Sequence, residues 1–60
     1  MQTTTYSAVL PGIQILVTLD SEASDLEVRR ALRAERIRRA LPAGRYRVTV
    51  EGMAYGTMSL

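Results

Sequence analysis

SDLEVRRALRAERIRRALPAG, residues 24–44, is the stretch on which the fold turns. Ser24 and Glu27 stand at the spacing of an S-x-x-E capping box, in which the hydroxyl and the carboxylate each accept from an otherwise orphaned amide. No glycine or proline follows until Pro42, and Gly44 two residues on is free to take a positive φ. The spacing predicts a helix over 25–41. Acids gather at its entry, and Arg36, Arg38 and Arg39 lie near its last turns, which suits the helix macrodipole. Asp25–Arg29 and Glu35–Arg39 stand at i,i+4 in the favourable orientation.

Working outward, the flanks alternate with period two. Ile13, Ile15, Val17 and Leu19 are interleaved with Gln14, Leu16 and Thr18, as in a half-buried strand. Tyr6, Ala8 and Leu10 suggest a strand before it, joined through Pro11-Gly12. A type II Pro-Gly turn is not the favoured two-residue hairpin link, so a wider loop is expected. After the helix, Tyr46, Val48 and Val50 alternate with Arg45, Arg47, Thr49 and Glu51. Gly52 breaks this strand, leaving MAYGTMSL as either a fourth, edge strand or a loose tail. The expected architecture is α+β: a small antiparallel or mixed sheet, β-β-α-β with or without a fourth C-terminal strand, and one helix packed on one face. Gln14, Leu16 and Thr18, with Arg45, Arg47, Thr49 and Glu51, would occupy the face the helix leaves open.

The helix has apolar residues on two sides. At 100° per residue Leu26, Ile37 and Leu41 fall on one side, flanked by Ala34 and Ala40, and Val28 and Leu32 fall on roughly the other, beside Ala31. Either the helix kinks near Arg33-Ala34-Glu35 so that both sets reach one sheet, or it is straight and one set meets a second surface. On the second reading Val28 and Leu32 form a partner-binding face. Arg29, Arg33 and Arg36 form a stripe between the two faces, with Arg30 alongside. Such a stripe suits an acidic partner or phosphates, as would Arg45 and Arg47. A solvated helix face, with arginine stems covering apolar rim, explains it equally.

Sixty residues make a single small domain, residues 1–60, with little core to stabilise it. With neither cysteine nor histidine, disulfides and thiolate or imidazole zinc sites are excluded, so a protein partner or self-association is the expected support. Net charge is +2, but residues 1–27 carry −4 and residues 28–60 carry +6. A net +2 is a weak electrostatic footprint for nucleic acid, and arginine used to the exclusion of lysine also follows from a GC-rich genome. The longest apolar run, Ile15–Val17, is far too short to span a membrane, and MQTTTYSAVLPG lacks the charge and apolar core of a signal peptide. A cytoplasmic location is the default.

Catalysis finds little support. There is no imidazole base, no thiol, no lysine to activate a serine or threonine, and no glycine-rich phosphate loop. Asp20, Glu22, Asp25 and Glu27 are explained by the helix entry. No cofactor, metal or small-molecule substrate is expected. The tyrosines 6, 46 and 55 are not on the strand face that carries Arg45 and Arg47, where an RNA-reading sheet would place its aromatics. A lone helix also lacks the partner a helix-turn-helix reader needs.

Two strands, a helix capped after an acidic turn, and PAG leading into a strand resemble, in topology and over about forty residues, small phage proteins that inhibit the host RNA polymerase, although the strand RYRVTVEG does not place its arginines as that family does. Some anti-CRISPR proteins share the scale. The resemblance implies a compact module that docks on a host complex and blocks it. The residues are read as a non-enzymatic protein-interaction module, as a phage or mobile-element inhibitor or regulator would be. The alternative is a small basic protein contacting nucleic-acid phosphates through the arginine-rich helix.

Overall fold

A computed structural model describes residues 2–60 and shows five elements: β1 (Thr3–Leu10), β2 (Ile13–Asp20), α1 (Asp25–Arg38), β3 (Arg45–Val50) and β4 (Met53–Ser59). The strands form one open antiparallel sheet in the order β2-β1-β3-β4. The fold is α+β, and MAYGTMSL is the fourth strand.

Both hairpins close through two residues. Leu10 pairs with Ile13 across Pro11-Gly12, so the link is narrower than expected; Gly12, at φ 79, supplies the positive φ the turn requires. Val50 pairs with Met53 across Glu51 and Gly52, at φ 51 and 84, the two positive values of a type I′ turn. The β3–β4 register shifts between Val48 and Thr49. Gly56 pairs with Val48 and Ala54 with Thr49, leaving Tyr55 as the extra, bulged residue.

Side-chain alternation sorts the sheet into two faces. Tyr6, Ala8, Ile15, Tyr46, Val48 and Met58 are buried on the helix side, with Leu60 beside them. Tyr46 is fully buried, and its hydroxyl donates to the Pro42 carbonyl at 2.6 Å. The other face is open. It carries Gln14, Leu16, Thr18, Arg45 and Arg47, all exposed, with Thr5 and Thr18 bonded side chain to side chain at 3.1 Å across their pair.

The helix begins as its sequence demands. Ser24 Oγ accepts from the Glu27 amide at 3.2 Å, and Glu27 Oε1 accepts from the Ser24 amide at 3.2 Å. Its end differs. The helix stops at Arg38 rather than 41, because Ala40, not Gly44, turns left-handed at φ 55. The Ala40 amide bonds the Ile37 carbonyl and the Leu41 amide reaches back to Arg36, each at 3.0 Å, which is the Schellman pattern.

Between these ends α1 is uninterrupted, and Val28 and Leu32 are its buried side chains, both fully enclosed against the sheet. They are therefore core. A partner cannot use them as a docking face without removing the helix from the sheet. Each contributes about 1.5–3 kcal/mol by leaving water. Leu26 and Ile37 face solvent instead, at 53% and 59% exposure. The helix is continuous and two-faced, with its faces opposite to the assignment expected from sequence.

Candidate functional site

The surface of α1 turned away from the sheet holds Leu26, Arg30, Arg33 and Ile37, at i, i+4, i+7 and i+11. These positions fall within an arc of about 60° at 100° per residue, centred opposite Val28 and Leu32. Two arginines are thus bracketed by two exposed apolar side chains along one seam. Arg29 lies at its edge. Arg29, Arg30 and Arg33 are all exposed and form no ion pair or side-chain hydrogen bond among the described residues.

The remaining helix arginines are engaged with their own fold. Arg36 is half-buried, and its Nη1 donates to the Leu41 carbonyl at 2.8 Å, so it bridges the helix end and does not belong to the expected Arg29/Arg33/Arg36 stripe. Its Nε is buried without a partner among the described residues, which costs about 1–3 kcal/mol. Arg38 is paired with Glu35 through a 3.0 Å and a 2.5 Å bond; this i,i+3 contact replaces the expected Glu35–Arg39 pair. Accepting from Arg38 holds the Glu35 carboxyl below its ordinary pKa. Arg39 Nη1 reaches the Gln14 carbonyl on β2 at 2.8 Å. Asp25 does not pair with Arg29 but accepts from the Tyr55 hydroxyl.

Arg45 and Arg47 are exposed, on the opposite side of the molecule. In β3 they alternate with the buried Tyr46 and Val48, so the sheet itself lies between them and the helix arginines. One continuous basic surface joining Arg30 or Arg33 to Arg45 and Arg47 does not exist. The pair instead borders a shallow groove of about 420 Å³ with Val9, Pro11 and Thr57.

The face with free arginines is thus small, convex and amphipathic. Leu26 and Ile37 as exposed residues, and Arg30 as a central one, were missed as a set by the sequence reading. The 4-3-4 spacing is a signal present in the sequence, whereas Val28 and Leu32, the expected docking residues, are buried in the core. The chain matches no protein-family model, no curated protein and no solved structure. No helix among the described residues is long and apolar enough to cross a membrane.

Proposed function

We propose that this chain is a non-enzymatic protein-interaction module that binds an acidic segment of another protein along the outer face of α1. The observation that carries this reading is the seam Leu26–Arg30–Arg33–Ile37, exposed along its length and charged only at its centre. Its 4-3-4 spacing is that of a helix-pairing seam. A second copy is a poor occupant. Antiparallel pairing would set Leu26 against Ile37, which is favourable, but Arg30 against Arg33; parallel pairing would set each arginine against itself. Like charges placed together across an interface cost several kcal/mol. An amphipathic partner helix with acids at the two central positions and leucines at the outer ones satisfies every position, with bidentate guanidinium–carboxylate contacts in the middle.

Phosphate binding is less well served, because Arg36, Arg38 and Arg39 are occupied within the fold and Arg45 and Arg47 face the other way. Inhibition or regulation of a host machine by a phage or mobile element remains the narrower use we infer. Its support is the resemblance in element order, and a cytoplasmic site of action goes with it.

The test is titration with a helical peptide carrying leucine, glutamate, glutamate and leucine at the seam spacing. The native chain should bind it, and Arg30→Glu with Arg33→Glu should weaken binding at least tenfold, about 1.4 kcal/mol, with the fold retained. Equal binding by both proteins would overturn the reading. So would tighter binding to duplex DNA with a steep salt dependence.

A further inference from the structure

We infer that a second copy of this chain pairs along the free edge of β4, antiparallel, with Thr57 opposite Ser59 of the second copy. The sheet has two edges, β2 and β4, and each presents unpaired main-chain groups. Their surroundings differ in ways that separate them.

The outward groups follow from the register. The Leu60 amide bonds the Gly44 carbonyl at 2.8 Å, and the ladder continues with Met58 opposite Tyr46. Leu60 and Met58 therefore direct their main-chain groups toward β3, and the intervening Thr57 and Ser59 direct theirs outward. Closer to the turn, the Tyr55 bulge and Gly56, at φ 144, break the strand's regularity. Thr57–Ser59 is thus the regular part of this edge. It is self-complementary: a two-fold axis at Met58 sets each Thr57 opposite Ser59 of the other copy, with hydrogen bonds exchanged in both directions, and brings the two Met58 side chains together on the helix side. Met53–Leu60 contains no charged side chain to oppose this contact. Arg45 and Arg47 on β3 would stand roughly 14 Å from those of the second copy, three strand spacings away and beyond the physiological screening length of about 8 Å.

At β2 the same pairing is blocked. The helix lies over the β2 side of the sheet, and Arg39 already occupies the outward carbonyl of Gln14. Pairing β2 with β2 would set two such helices about one strand spacing apart, near 5 Å, whereas packed helices need about 8–10 Å between axes. Over β4 there is no such obstacle. A groove of about 380 Å³ opens there, running from Leu26 and Arg29 on α1 to Gly56, Thr57 and Met58 on β4. Pairing there makes one eight-stranded sheet with both helices on the same face and both arginine seams free, so the dimer offers two copies of the helix surface side by side.

The deciding experiment is amide hydrogen exchange on the full chain from micromolar to millimolar concentration, with mass measured by light scattering. The expected result is a concentration-dependent dimer in which exchange at Thr57 and Ser59 slows as dimer forms, while Leu16 and Thr18, outward on β2, stay fast. Ser59→Pro, which removes an outward donor at a position where an edge strand tolerates proline, should abolish the dimer. Thr57→Lys reads the same contact if the proline variant fails to fold. A monomer at every concentration overturns the inference, as does a dimer whose protection falls on β2 or on no strand amide, or one that survives both substitutions.

Discussion

The Tyr55 hydroxyl donates to Asp25 Oδ1, joining the bulged residue of the last strand to the first turn of the helix. The ring of Tyr55 also stands edge-on to Tyr6, with centroids 5.6 Å apart and planes at 84°. One side chain thus links β4, the inner strand β1 and the helix entry. The bond to Asp25, followed by burial and the nearby carboxylate charge, pushes the Tyr55 phenol up to about 12.

A phenol raised in the folded state favours folding while it stays protonated. Its contribution is complete below the unfolded value of about 10 and is lost as pH rises from there through about 12. The native chain should therefore lose stability faster than Tyr55→Phe between those limits, as read by urea midpoints at successive pH values. Parallel curves would show that the bond to Asp25 does not control the titration.

The two apolar sets on α1 should behave oppositely on truncation. Leu32→Ala removes a fully buried side chain and should cost about 2–5 kcal/mol. Ile37→Ala removes an exposed one and should stay within about 0.5 kcal/mol. Chemical denaturation of the two variants measures both values. Similar losses at the two sites would mean that both faces are core.

That contrast marks what the sequence could disclose. RYRVTV alternates without interruption, so β3 and its buried Tyr46 were legible, as was the capped start of α1. The choice between the two helix faces was not. Val28 and Leu32 are no more apolar than Leu26 and Ile37, and a five-residue step from Leu32 to Ile37 fits either a kink or two surfaces. Tertiary packing made the choice. β4 was ambiguous because the Tyr55 bulge disturbs its alternation. The roles of Arg36 and Arg39 were hidden for another reason: both contact carbonyls that the fold brings within reach, and no local pattern announces such contacts.

Ala40 is an alanine in a place that favours glycine. At φ 55 its Cβ crowds the backbone, at a cost on the order of 1–2 kcal/mol. Glycine relieves this and gives back part of the gain through its freer unfolded chain. Ala40→Gly should therefore raise stability by about 0.5–1 kcal/mol, observed as a higher melting temperature. A lower one would show that the Schellman end is not where the helix stops.

The capping box supplies a complementary test at the other end. Ser24→Ala removes the oxygen that accepts from the Glu27 amide and should cost about 1 kcal/mol. The loss should appear in thermal unfolding. Ser24→Gly should cost only a few tenths, because glycine leaves the amide open to water.

If Arg30 and Arg33 are the electrostatic centre of a docking seam, exchanging charge across it must exchange the partner. The measurement is the affinity of two helical peptides, one with glutamates and one with arginines at the central seam positions, for the native chain and for Arg30→Glu with Arg33→Glu. The native chain should take the glutamate peptide and the double variant the arginine peptide, each at least tenfold over the mismatched pair. Indifference of either protein to the peptide's charge would contradict it.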